Sequence, residues 1–221
     1  MTSTLVLVVT ALGAAILWRI QLAHVRRLRH ERRQLFAEVQ DVLDEVRVHG
    51  DGAYPTLIGT YRGYQVRLEP VVDTLGLRKL PSLWLVVTQQ RRLDLDVPVD
   101  VLVRPSGTEY FSPNAGFAHE LGPPDGFPAH VRVASPGPGP TAGSIERLAP
   151  LVCDPRTKDV LVSANGVRVV RMLAEAAQGP YRTARTAEFG VVRIAPDGLR
   201  RLLDVVTGVG DALAADPVRT D

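Results

Sequence analysis

The chain is poor in the residues that carry most protein chemistry. A single cysteine, Cys153, stands among 221 residues. That excludes an intramolecular disulfide framework and, with no second thiol nearby, a thiolate zinc site or a Cys-x-x-Cys redox pair. Because Cys153 follows an apolar helix face and precedes Asp154, whose charge would raise a thiol pKa, it is expected to be buried and inert. The five histidines, His24, His30, His49, His119 and His130, keep no metal-ligand spacing. No His-Glu-x-x-His and no Gly-x-Ser-x-Gly is present. Sequence therefore assigns no catalytic residue, no metal and no cofactor. His119 and Glu120, with Asp125 and His130 nearby, form a weak candidate acid–base cluster, and a solvated loop is the plainer reading of the same residues.

Lysine is almost missing: only Lys79 and Lys158 occur, against 24 arginines. The Pro/Gly stretch Gly137-Pro138-Gly139-Pro140-Thr141-Ala142-Gly143 precedes a helix, where a phosphate loop would sit. Its spacing is wrong, and its prolines lack the N–H donors such a loop needs. It reads as a linker. Residues 51–221 carry 19 basic and 19 acidic side chains, a balance that argues against a nucleic-acid partner.

Charge is also absent from the N-terminus, where no ionisable side chain occurs before Arg19. Leu5, Val6, Leu7, Val8, Val9, Leu12, Ile16, Leu17 and Trp18 predict a transmembrane anchor over residues 1–22, short for the roughly 20 residues a bilayer core needs unless its ends are borrowed. A signal peptide fits less well, because the basic leader is missing and arginine-rich sequence comes directly after. Arg19, Arg26, Arg27, Arg29, Arg32 and Arg33 then form a flank suited to anionic lipid, each contributing on the order of 1 kcal/mol near the surface. Positive residues stay inside. The expectation is a single-pass inner-membrane protein with its N-terminus outside and its bulk in the cytoplasm.

Leu22, Val25, Leu28, Leu35, Val39, Val42 and Val46 recur at helical spacing. They predict an amphipathic juxtamembrane helix over residues 23–50, ended by His49-Gly50-Asp51-Gly52. The stripe would form a coiled coil in a homodimer or pack on the protein's own domain. Beyond it the period changes to two. Strands are expected at 56–61 and 64–72 around an Arg62-Gly63 turn, then at 83–88, 99–103 and 131–134.

A long segment, 105–128, is expected to fold back on Phe111, Phe117 and Phe127. Ser144 would cap a helix to about residue 152. Asn165-Gly166 predicts a type I′ hairpin between 159–164 and 167–173. A second strand pair, 181–186 and 189–194, precedes a helix over 199–214, and Arg171, Arg182, Arg185 and Arg193 would line a basic sheet face. The fold class is α+β with antiparallel hairpins and two or three helices. The division is a β-rich lobe at 51–135, a linker at 136–143, an α+β lobe at 144–216 and a tail at 217–221.

These features point to a membrane-held interaction or scaffolding domain with a protein partner. The alternatives are a tethered enzyme acting on a lipid or phosphorylated substrate, with 105–128 as a lid over His119 and Glu120, and a ligand sensor signalling through dimerisation of the rod.

Overall fold

The computed structural model describes residues 2–50, 54–75, 80–107 and 109–215, with residues 2–9 and 184 described by backbone alone. An α-helix, α1 (Thr2–Arg33), leads through two 3-10 turns, Gln34–Phe36 and Gln40–Val42, into β1 (Asp44–His49). Then come β2 (Thr56–Tyr61), β3 (Tyr64–Asp73), β4 (Ser82–Gln90), β5 (Val99–Val103), β6 (His119–Leu121) and β7 (Val131–Ser135). The chain continues through α2 (Ala142–Glu146), α3 (Ala149–Val152), β8 (Thr157–Ser163), β9 (Gly166–Glu175), α4 (Gln178–Ala184) and α5 (Pro196–Ala214). The strands form one sheet in the order β1-β2-β3-β4-β9-β8-β5-β7-β6, with antiparallel neighbours throughout. The fold is α+β, built around a large antiparallel sheet.

Alternation sets the two faces of that sheet. Its inner face carries Val66, Leu68, Leu85, Val87, Val99, Val101, Val160, Val162, Val167 and Val169, all within one buried cluster. Against it lies α5, which opens with Pro196 in its first turn and buries Leu199, Leu202, Leu203, Val206, Val209 and Leu213 at steps of three and four. A buried hydrogen bond from Gln89 Nε2 to Thr207 Oγ1, 2.8 Å, fixes the helix along the sheet. The predicted strands at 56–61, 64–72, 83–88, 99–103 and 131–134 are all present, as is the last helix.

Other expectations are corrected. The rod over 23–50 does not form: α1 ends at Arg33, and Leu35, Phe36, Val39 and Val42 enter the domain's own core at 0–9% exposure. The Ile194 amide donates to the Leu35 carbonyl, 3.2 Å, where the helix breaks, and Val46 falls on edge strand β1. Leu35, Phe36, Val39 and Val42, buried at that level inside one chain, cannot also form the seam of a coiled coil. Residues 51–53, including Asp51 and Gly52 of the predicted rod end, lie outside the described residues, as does the 217–221 tail.

The 136–143 stretch does not separate two lobes either, because the β8–β9 hairpin inserts between β4 and β5 in a single sheet. The helix cap there is Thr141, whose hydroxyl accepts from the Ser144 amide, rather than Ser144 itself. Residues 181–194 make no strand pair. Both edges of β9 are already occupied, by β4 and β8, so this segment forms α4, and Arg185 closes it in the left-handed region at φ 54°.

The two hairpin turns exchange character. Arg62 and Gly63 are both at positive φ, 50° and 83°, as a type I′ turn requires. At the second hairpin Ser163 pairs with Gly166, so the connecting residues are Ala164 and Asn165, and neither has positive φ. Glycine is demanded at 166 by proximity: a Cβ there would lie 2.0 Å from the Gln89 carbonyl oxygen.

Among the described residues no helix is long and apolar enough to cross a membrane. The predicted anchor residues Leu5, Val6, Leu7, Val8 and Val9 have side chains outside the described set.

The burial of the former rod stripe is testable. Leu35→Ala, at a fully buried position, is expected to destabilise the full-length chain by about 2–5 kcal/mol in urea unfolding. A loss below about 0.5 kcal/mol, the range of surface substitutions, would place Leu35 outside the core.

Candidate functional site

The outer face of the sheet, opposite α5, carries polar residues that are buried all the same, because the 105–128 segment straps over it. The strap begins at Arg104, held at φ 51° just after β5. Its amide donates to the His130 carbonyl, 2.7 Å, and its guanidinium to the carbonyls of Pro155 and Thr157, both 3.0 Å. Glu109 accepts from the Ser106 and Gly107 amides, 2.8 and 2.9 Å, and pairs with Lys158 at 2.7 Å, both side chains below 10% exposure. Burial alone would raise the Glu109 carboxyl. The Lys158 ammonium and the Ser106 hydroxyl outweigh it and hold Glu109 down at about 2. Further along, the Tyr110 hydroxyl donates to the Val72 carbonyl, 3.1 Å, and Phe111 packs on Trp84 with centroids 5.9 Å apart.

Asp100 on β5 and Asp159 on β8 lie under the strap at 0% exposure. A 3-10 turn, Asn114–Gly116, carries the amide of Asn114 over them: Nδ2 donates to Asp100 Oδ1 at 2.7 Å, and Ser112 Oγ donates to the same oxygen at 3.2 Å. Arg132 donates to Asn114 Oδ1, 2.7 Å, and to the Phe117 carbonyl, 3.2 Å, fixing the turn from β7. Arg168 reaches Asp159 Oδ2 at 3.4 Å. Asp100 Oδ2 and Asp159 Oδ1 are buried with no hydrogen-bond partner, a situation that favours the protonated acid. Burial pushes Asp100 up to about 8, with repulsion from Asp159 adding to it, and burial raises Asp159 as well. Closed off from solvent, Asp100 holds the strap down through Ser112 and Asn114.

The structure does not bring His119 and Glu120 together. As neighbours on β6 they project to opposite sides of the strand. Both are exposed, and Glu120 accepts from Arg132 Nε at 3.1 Å. Asp125 and His130 are exposed too. Cys153, expected buried, is exposed at the end of α3, its thiol directed to the Gly126 carbonyl at 3.5 Å. Of the predicted basic face only Arg171 lies on a strand, paired with Asp154 at 3.0 Å. Arg182 sits on α4, Arg185 closes it, and Arg193 pairs with Glu38 at 3.1 Å. Among the described residues no cluster of His, Cys, Asp or Glu is placed to hold a metal ion.

Sequence reading missed Asp100, Asp159, Glu109 and Lys158. A signal was there: the tetrapeptide Asp-Val-Leu-Val occurs at both 100–103 and 159–162. The two copies pair antiparallel, Asp100 with Leu161 and Leu102 with Asp159, so both carboxyls share a face.

On α1, Leu12, Ile16, Leu17, Trp18 and Ile20 are 51–68% exposed and Leu22 39%. Among the arginines beyond them, Arg27 pairs with Glu31 at 2.8 Å and Arg32 lies over the Tyr54 ring, 5.5 Å from its centroid.

No protein-family model and no curated protein matches the chain. Among solved structures the chain is similar to the crystal structure of the mycobacterial trehalose monomycolate transport factor A, TtfA, at 12% identity over 78% of this chain and 76% of that one, with a TM-score of 0.36. A likeness at that level carries no argument about fold, activity or partners.

The strap has two measurable consequences. With its carboxyl pushed up to about 8, folded Asp100 binds more protons than the unfolded chain between about pH 4 and 8, so stability falls as pH rises through that window, by at most about 1.4 kcal/mol per unit. Asp100→Asn, which mimics the protonated acid, is expected to flatten this slope and raise Tm at pH 8, and an unchanged slope in thermal melts would refute the raised Asp100 carboxyl. Lys158→Met leaves Glu109 buried without its cation and is expected to cost about 3–5 kcal/mol, most of it recovered in Lys158→Met/Glu109→Leu. Urea unfolding of the two variants checks this, and equal losses in both would assign the effect to packing.

Proposed function

We propose that the chain is a single-pass protein of the cell inner membrane, α1 being its anchor, and that its α+β domain works in the cytoplasm as an interaction module for a protein partner. The observation that carries this reading is the row of exposed apolar side chains on α1, Leu12 to Ile20, which the chain's own domain leaves uncovered. Residues 2–22 as a helix measure about 30 Å, the thickness of a bilayer's hydrocarbon core. The run of arginines from Arg19 to Arg33 supports an orientation with the domain inside. The use of the buried outer-face polar groups to hold the 105–128 strap supports a binding module over an enzyme.

The single exposed thiol makes the test simple. The full-length chain in bacterial membranes is expected to resist carbonate extraction, and Leu12→Arg/Ile16→Arg to release it. A membrane-impermeant maleimide should label Cys153 in inverted vesicles and spare it in intact spheroplasts. Carbonate-soluble unmutated protein would overturn the anchor, and labelling in intact spheroplasts would overturn the orientation.

A further inference from the structure

Resting on the membrane reading of α1, one segment of the domain acquires a defined height above the bilayer. His24 lies five to six residues past Trp18 and Arg19, where α1 turns from apolar to basic, or about 8 Å along the axis. There its Nε2 meets Glu188 Oε1 at 4.0 Å. Just beyond the end of α1 at Arg33, Ile194 bonds the Leu35 carbonyl, and Arg193 reaches Gln34 and Glu38 at 3.0 and 3.1 Å. Residues 188–194 therefore climb α1 toward its N-terminus, from its end at Arg33 to the level of His24, about 14 Å of helix and within reach of six extended residues. Of the described contacts to α1, that of Glu188 is the nearest to Trp18.

At that level the Ala177 amide donates to the Glu188 carbonyl, 2.7 Å, closing a loop that contains α4 and its left-handed cap Arg185. Arg182, Thr183 and Arg185 are exposed on it, Arg185 over the Tyr181 ring at 5.4 Å. Val191, just past the closure, is 53% exposed. The one acidic residue of the segment, Glu188, faces His24. A lipid headgroup layer extends roughly 5–7 Å beyond the hydrocarbon, and charge is felt over a Debye length of about 10 Å. The base of the loop sits at the outer margin of the first and within the second.

We infer that the 178–187 loop is a second lipid contact: Arg182 and Arg185 bind anionic phospholipid headgroups and, with the arginines of α1, fix which side of the domain faces the bilayer. A helix in a membrane is free to roll about its axis, and a basic contact displaced from that axis removes the freedom.

The test uses full-length protein, Cys153→Ser, carrying a fluorophore at Thr183→Cys or at Ala37→Cys, an exposed position beyond the end of α1 that lies away from the bilayer. Vesicles contain a headgroup-attached quencher in phosphatidylcholine alone or in equal parts phosphatidylcholine and phosphatidylglycerol. Quenching is expected at 183 in the anionic vesicles and not at 37. It should be lost with Arg182→Glu/Arg185→Glu and kept with Arg182→Lys/Arg185→Lys, each variant checked for an unchanged melting curve. Protein that floats with the vesicles but is quenched equally at 183 and 37, or equally after charge reversal, overturns this inference and leaves the anchor standing. Protein that fails to float overturns both.

Discussion

The pairing of β4 with β9 is the constraint on which the rest of the molecule depends. Residues 82–90 and 166–175 are far apart in sequence, and their register runs unbroken from Trp84 opposite Met172 to Gln90 opposite Gly166. Closing so large a loop costs entropy that only the completed sheet returns. Once made, the pair puts the β8–β9 hairpin in the middle of the sheet and seals both edges of β9, so residues 181–194 have no free edge to join as a strand. α5 then crosses the inner face, and its bond from Gln89 to Thr207 requires β4 to be in place already.

A sheet of this width has two faces and, in this chain, one layer of long helix. The inner face is apolar and lies under α3 and α5. The outer face is covered over β5 and β8 by a segment with little regular structure, whose backbone needs partners that a helix would have supplied internally. Asn114, Ser112, Glu109 and Arg132 supply them, which explains why charged residues are buried there. A strap held by apolar contact alone, Phe111 on Trp84, would leave its carbonyls and amides dry and unpaired. Repulsion within the Asp100–Asp159 pair is the cost of that arrangement, and together with burial it raises the Asp100 carboxyl.

Much of the fold was legible because short runs rich in β-branched and apolar residues, set between Gly and Pro breaks, form strands: β2, β3, β4, β5 and β7 are all marked by them. The failures have physical causes. The stripe Leu35, Val39, Val42, Val46 satisfies helical spacing and breaks into two 3-10 turns and an edge strand, since burying it against β2 and α5 outweighs a solvated helix continuing alone. Asn165-Gly166 looks like a turn, and the glycine answers instead to the Gln89 carbonyl of a strand 77 residues earlier in the chain. Asp100 and Asp159 sit where alternation says outward, and alternation cannot tell an outward residue in water from one beneath a strap. His119 and Glu120 attracted notice as adjacent ionisable residues, yet adjacency on a strand is separation in space.

The junction between α1 and the domain determines what kind of tether the proposed anchor is. There is no linker: Arg33 ends the helix, and Leu35 and Phe36 are already fully buried. Ile194 is hydrogen-bonded to Leu35, and Arg193 braces Gln34 and Glu38 from the side. A flexible tether lets a domain search a hemisphere whose radius grows with linker length. A buried junction removes that search and leaves height fixed and rotation about the helix axis as the freedom that remains. With α1 in the bilayer as proposed, a partner meets the domain at one height, so association is governed by which face is presented rather than by how far the domain reaches. For such a protein a weak, off-axis attraction to lipid is enough to matter, because it acts on the single coordinate that the fold has left open.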